Sequence, residues 1–310
     1  MEENIYDVII LGGGPASMSA GVYSKQMGLN TLLIEKGDFG GQVATTSNVA
    51  NYLGFTNISG KALSDTMHEH LLSTGINIVN EEIVKTFLSD DVKVVHTHNN
   101  TYKGKTVIIG IGTTPRNLGV ENEKDYLNKG ISYSSLKDRE KYEGKTVAVV
   151  GGGNSAIEDA IYLSEKCKKV YLIHRRNEFR GDQGVVDILT SRLVPHGNIE
   201  LVLECRPHSI DGSDTLNTIN VTHIPSNQTK PLEVDCIFVA IGRGADTDII
   251  DSIIARNDDG YIITNEKMQT NISSVYAIGD IRNTPLRQIV TAVSDGAIAA
   301  VGAFGYLKGR

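Results

Sequence analysis

The sequence predicts an α/β protein built from two Rossmann-like dinucleotide-binding domains. Three observations predict it. A strand, a glycine-rich turn, a helix and a second strand follow one another near the N-terminus, and the same series recurs from Thr146. The first glycine of the turn and the end of the second strand are equally spaced in both copies, from Gly12 to Glu35 and from Gly151 to His174. A repeat with fixed internal spacing carries far more weight than a lone glycine motif.

In the first copy, Asp7-Val8-Ile9-Ile10-Leu11 is a short apolar run rich in β-branched residues, which reads as a buried strand. Gly12-Gly13-Gly14-Pro15-Ala16-Ser17 follows, then a helix to about Met27 with Gly28 as its stop. Thr31-Leu32-Leu33-Ile34 leads to Glu35 and Lys36. In the second copy, Thr146 to Val150 is the strand and Gly151-Gly152-Gly153-Asn154-Ser155-Ala156 the turn. The helix keeps Ala156, Ala160 and Leu163 on one face, and Val170-Tyr171-Leu172-Ile173 ends at His174.

The glycines have physical tasks. The first (Gly12, Gly151) allows the tight turn, and the second (Gly14, Gly153) lets a pyrophosphate approach the backbone. The helix N-terminus supplies unpaired N–H groups and the positive end of its dipole. The third position must be small for close packing. Ala156 satisfies it, and Ser17 is a departure of tolerable size.

The ends of the second strands differ in charge. Glu35 suits ribose hydroxyls of an unphosphorylated ADP-ribose, as in FAD or NAD. His174-Arg175-Arg176, with Arg180 beyond, suits the 2′-phosphate of NADPH through charge-assisted, bidentate bonds.

The length of 310 residues suits two domains. The net charge of −7 speaks against a general nucleic-acid surface. The three cysteines, Cys167, Cys205 and Cys236, match no metal-ligand or C-x-x-C spacing and read as buried or half-buried thiols; no metal is expected. Met1 to Asn4 lacks a basic signal-peptide start, and no apolar run approaches the roughly 18 residues of a membrane span. A soluble, cytoplasmic protein without nucleic-acid or membrane partners is expected.

Together these segments resemble the low-molecular-weight thioredoxin reductase family, across nearly the whole chain. Gly40-Gly41-Gln42 with Thr45-Thr46, then Asn51-Tyr52, resemble the family's flavin-embracing stretch. Ile109 to Arg116, including Gly112, resembles the exit from the FAD domain, and Phe238-Val239-Ala240-Ile241-Gly242 the exit from the NADPH domain. Tyr276-Ala277-Ile278-Gly279-Asp280 is similar to the second FAD motif. Leu286-Arg287-Gln288-Ile289 resembles the segment whose backbone meets the flavin. The resemblance implies a three-layer ββα FAD domain over residues 1–117 and 247–310, with an NADPH domain inserted as 118–246. It also implies hinges at Pro115 to Asn117 and Arg243 to Asp246, and homodimers through the FAD domains.

One motif of the family is missing. Its C-x-x-C falls on Ser132-Tyr133-Ser134-Ser135-Leu136-Lys137-Asp138, so Ser134 and Lys137 occupy the cysteine positions. Disulfide exchange needs a thiolate, and neither residue provides one. No side chain is assigned as a catalytic acid or base, since flavin carries the chemistry. The expectation is an FAD- and NADPH-dependent oxidoreductase that does not reduce thioredoxin. Its acceptor is left open between ferredoxin or flavodoxin, a quinone or other small oxidant, and an external disulfide. Ferredoxin–NADP reductases of this type usually carry a C-terminal extension that places an aromatic group near the flavin; the missing extension counts against that subfamily, with Tyr306 as the candidate substitute. The alternative is a catalytically degenerate FAD- and NADPH-binding redox sensor or regulatory subunit.

Overall fold

The computed structural model describes residues 5–46, 48–193 and 197–309; Met1 to Asn4, read above for targeting, lie outside them. The chain forms two compact units, residues 1–114 with 244–310 (unit 1) and residues 115–243 (unit 2). Both crossings come three residues before the boundaries expected from the resemblance.

Unit 1 opens with β1 (Ile5–Leu11), α1 (Pro15–Gln26) and β2 (Thr31–Glu35), followed by α2 (Gly60–Ser73), β3 (Asn77–Asn80), β4 (Ile83–Phe87), β5 (Lys93–Thr97) and β6 (Thr101–Ile109). The chain leaves through β7 (Thr114–Pro115).

Unit 2 contains β8 (Ile131–Ser132), α3 (Ser135–Asp138), β9 (Thr146–Val150), α4 (Asn154–Ser164), β10 (Lys169–Ile173), α5 (Gln183–Ser191) and β11 (Ile199–Val202). Then come β12 (Cys205–Gly212), β13 (Leu216–His223), β14 (Gln228–Glu233) and β15 (Cys236–Val239). The chain returns to unit 1 through β16 (Arg243–Gly244) and ends with β17 (Val275–Ala277) and α6 (Ile289–Leu307).

The parallel sheets of the two units repeat one plan. Unit 1 runs β3-β2-β1-β6 with β17 beside β6, and unit 2 runs β11-β10-β9-β15-β8. In each, the first strand lies between the second strand and the strand that leads out of the domain. Each unit adds antiparallel strands: β4 and β5 extend from the first half of β6, and β12-β13-β14 form a separate sheet.

The strands read as unbroken apolar runs because both faces are covered. Val8 and Ile10 of β1 face a cluster with Ala20, Leu71, Ala299 and Ala303 from the helices. Ile9 and Leu11 face Leu88, Val95, Ile250 and Ile262 on the other side. In unit 2 the corresponding layers gather around Ala148 and Val150, and around Val147 and Val149.

Helix α6 corrects one expectation. By length and composition it could cross a membrane: an 18-residue window of its 19 residues has a mean hydropathy of 1.4. The sequence reading passed over it because Thr291, Ser294 and Asp295 interrupt its apolar run. Here it packs on α1 through small residues: a Cβ on Gly296 would lie 2.1 Å from the Ala16 carbonyl oxygen. Midway along it, buried Asp295 binds Arg282 through two hydrogen bonds, of 2.6 and 2.9 Å, and accepts the Gly279 N–H at 3.0 Å.

Removing the carboxylate with Asp295→Ala leaves the Arg282 guanidinium buried without its charge partner. The expected loss is about 3 kcal/mol in the unfolding of unit 1, read from denaturant titration. A loss below about 1 kcal/mol would show that the pair is not structural.

Candidate cofactor-binding sites

The turn between β1 and α1 is shaped by contacts that leave no room for side chains. A Cβ on Gly12 would lie 2.6 Å from the Gly110 carbonyl oxygen, and one on Gly13 would lie 2.8 Å from Glu35 Cγ. Gly14 differs. Its φ of −75° and ψ of 175° are open to any residue, and a Cβ there would meet nothing within 4 Å. What glycine preserves at this position is open space before the helix N-terminus. Pro15 takes the first helical position, where its missing N–H costs nothing, and no side chain caps the helix. Ser17, the departure from the glycine pattern, is fully buried, and its hydroxyl donates to the Gly110 carbonyl at 3.3 Å.

Other predicted residues converge on this edge of the sheet. A Cβ on Gly41 would lie 3.5 Å from Gly14 Cα, and one on Gly279 would lie 3.1 Å from Ala16 Cβ. Gln42 donates through Nε2 to Asp280 Oδ2 at 3.1 Å and to Thr113 Oγ1 at 3.0 Å. Glu35 ends β2 and accepts the Gly37 N–H at 2.9 Å. Gly112 follows β6, where a Cβ would meet nothing within 4 Å.

A second group forms at the start of α6. Asn51 donates to Gln288 Oε1 at 3.1 Å. Gln288 caps the helix in a reciprocal box with Thr291, a role that the sequence reading missed. Ile289 packs on Val43, Val49 and Leu63. Arg287 lies over the Tyr261 ring, 4.2 Å from its centroid. Lys36 is engaged elsewhere, in an exposed ion pair with Glu82 at 3.0 Å.

In unit 2 a cleft of 660 Å³ lies over the second glycine turn. It is lined by Gly151, Gly153, Asn154, Ser155, His174, Arg175, Arg176, Arg180, Ile241 and Gly242. Ala156, also predicted, is buried beneath: a Cβ on Gly151 would lie 2.6 Å from Ala156 Cβ and 2.3 Å from the Ala240 carbonyl oxygen. Gly153 repeats the arrangement of Gly14, with nothing within 4 Å of a Cβ and no side-chain cap on α4.

The arginine-bearing loop is tied to this turn at three points. Arg180 N–H donates to the Gly152 carbonyl at 2.8 Å. Asn154 Nδ2 donates to Asp182 Oδ2, and Asn154 Oδ1 accepts the Asp182 N–H, both at 2.7 Å. His174 Nε2 meets the Glu178 carbonyl at 3.1 Å, and its ring stacks on Phe179. Burial, joined by the neighbouring arginines, pushes its pKa below the ordinary range. Thus His174 braces the loop, while among the described residues the guanidinium groups of Arg175, Arg176 and Arg180 make no hydrogen bond or ion pair.

The cleft also has walls that the sequence reading did not assign, including Arg116, Tyr133, Asp159, Cys205, Arg206 and Arg243. They come from five separate segments, and the motifs read above for Arg116, Tyr133 and Arg243 did not place them in this cleft. Tyr133 donates to Glu123, whose carboxylate also accepts the Leu118 and Gly119 N–H groups at 2.7 and 2.9 Å. Burial raises the Asp159 carboxyl pKa, the hydrogen bond from Ser135 opposes that rise, and Glu158 adds to it.

Ser134 and Lys137 lie in one local structure. Ser134 is the N-cap of α3, and its Oγ accepts the Lys137 N–H at 3.4 Å. Asp138 accepts from Lys141 at 2.7 Å and from Ser132 at 2.8 Å. Burial alone would raise its pKa, but these partners hold it below the usual carboxylate value. Cys167, Cys205 and Cys236 are buried. Burial pushes all three thiols up, that of Cys167 to about 11.

Residues 6–296 match the family described as pyridine nucleotide-disulphide oxidoreductase. The chain is 38% identical over 310 residues to the 34.2 kDa protein in the rubredoxin operon of Clostridium pasteurianum, covering 100% of this chain and 99% of that one. It is 36% identical over 308 residues to the thioredoxin reductase of Bacillus subtilis, covering 99% and 96%. The structure of Lactococcus lactis thioredoxin reductase is similar, with a TM-score of 0.88 at 31% identity over 98% of this chain and 100% of that chain.

The two kinds of glycine separate by substitution. Gly153→Ala should change the stability of unit 2 by less than about 1 kcal/mol and weaken dinucleotide binding by about tenfold or more, because its Cβ fills the approach. Gly151→Ala should cost about 3 kcal/mol, since a backbone carbonyl must move. Calorimetric melting and isothermal titration with NADPH check both, and equal stability losses would refute the distinction.

Proposed function

The chain belongs to the pyridine nucleotide-disulphide oxidoreductase family and is thioredoxin reductase-like, and we propose that it carries electrons from NADPH through FAD to an acceptor other than thioredoxin. The observation that carries this reading is the hydrogen bond from Lys137 N–H to Ser134 Oγ, made where the family resemblance places a dithiol. The hydroxyl and the amine of these two residues cannot form a disulfide, and the three cysteines present are buried with raised pKa values.

The residues fit both cofactors. In unit 1, Gly14 leaves a pyrophosphate room to reach the start of α1, Glu35 accepts from ribose hydroxyls, and Asp280 stands beside Gln42 on the same edge. In unit 2, Gly153 plays the part of Gly14, and the unpaired arginines match a 2′-phosphate. Bound FAD supplies two-electron acceptance from the pyridine nucleotide and delivery to the acceptor. The chain's task is to hold both cofactors and orient them. Electrons leaving without a dithiol suit ferredoxin, flavodoxin, a quinone or an external disulfide. The name of the Clostridium pasteurianum relative adds rubredoxin to the carriers to be screened.

The buried free thiols suit a reducing cytoplasm. A homodimer through unit 1 is part of the same proposal: α6 leaves Val290, Ile298 and Val301 exposed, and their spacing places them on one helix face. Sedimentation equilibrium should give twice the chain mass, and a monomer at all concentrations would remove this part.

Anaerobic NADPH should bleach the flavin of the purified holoprotein, while thioredoxin stays oxidised in the presence of both. Thioredoxin turnover by a variant with all three cysteines replaced by serine would overturn the acceptor argument. A protein that binds NADPH yet stays yellow would instead establish the sensor reading.

A further inference from the structure

We propose that Arg206 is a specificity-determining residue of the unit 2 cleft and binds the 2′-phosphate of the dinucleotide together with Arg175 and Arg176. The proposal rests on the NADPH reading of this cleft and adds a residue that the strand–turn–helix repeat does not contain. Backbone bonds bring the two segments side by side. His174 N–H donates to the Val202 carbonyl at 3.0 Å, Cys205 N–H to the His174 carbonyl at 3.0 Å, and Glu204 N–H to the Arg176 carbonyl at 3.2 Å. The chain entering β12 thus runs along the start of the arginine loop.

Cys205 is buried in the core of unit 2, whereas Arg206 beside it is exposed, and both line the cleft. Among the described residues its guanidinium, like those of Arg175, Arg176 and Arg180, makes no hydrogen bond or ion pair. Four guanidinium groups without anionic partners on one cleft are an array for a multiply charged anion, and each offers a planar fork to phosphate oxygens. Arg206 also differs in its support. Arg175, Arg176 and Arg180 stand on an irregular loop, whereas β12 pairs Arg206 with Thr222 in an antiparallel ladder, ahead of a register shift between Pro207 and Ser209. A charge on a strand is held more closely than one on a loop.

The test uses the FAD-loaded protein and two probes, 2′,5′-ADP and 5′-AMP, which differ by the 2′-phosphate alone. Arg206→Ala should weaken 2′,5′-ADP about tenfold and leave 5′-AMP within about twofold, with melting temperature and flavin content unchanged. Arg206→Lys should recover part of the loss by restoring charge without the fork. Arg175→Ala with Arg176→Ala is the control for the underlying reading. If that control loses discrimination and Arg206→Ala does not, the role of Arg206 is wrong and the NADPH reading stands. An equal loss for both probes in Arg206→Ala also overturns the role. If neither variant discriminates, the NADPH reading itself fails, and this inference fails with it.

Discussion

At two places a glycine lies so close to a neighbouring strand's carbonyl oxygen that no side chain fits between them. A Cβ would come within 2.6 Å of Gly110 O at Gly12 and within 2.3 Å of Ala240 O at Gly151. This approach lets the chain reverse directly from the first strand into its helix. It thereby sets the helix N-terminus above the C-terminal edge of the parallel strands, where the remaining site residues collect. In unit 1 the same close packing draws in Ser17, Gly279 and the turn carrying Asp280. The buried Arg282–Asp295 pair then fixes that turn from α6.

The three glycines of each turn divide two demands. The first two are required by packing: against the residue just after the exit strand at Gly12 and Gly151, and against Glu35 at the end of β2 or His174 just past β10 at Gly13 and Gly152. Neither packing nor backbone conformation requires the third. A position that tolerates a side chain in the protein alone, yet opens onto an uncapped helix end, points to something outside the chain. That separates a ligand cradle from an ordinary tight turn.

Most of this plan was legible in the sequence because its determinants are local. An apolar run, a glycine turn and a charged strand end lie within one short stretch, so spacing reveals them. The basic loop was legible for the same reason. Arg206, Tyr133 and Asp159 were not, because their place in the cleft is made by backbone pairing and helix packing between distant segments. His174 was visible as a residue but not in its role, since only the fold shows its ring behind Gly152 and its bond to Glu178. Thr291, Ser294 and Asp295 concealed α6 as a long apolar helix, while its small residues let α1 approach it.

The charge difference between the units follows from one shared contact. In both, the residue at the end of the second strand or just past it packs against the middle glycine: Glu35 through its Cγ at Gly13, and His174 through its ring at Gly152. Glu35 keeps a carboxylate at the sheet edge, a direct acceptor for ribose hydroxyls. The imidazole of His174 is occupied by Glu178 and Phe179, and its pKa is pushed down, so it brings neither an acid nor a dependable positive charge. On the proposed NADPH reading, selection in unit 2 therefore falls to guanidinium groups, which stay charged at any physiological pH. On that reading one backbone geometry serves two ligands, and the choice is made by what the side chain at the strand end does after packing against the glycine.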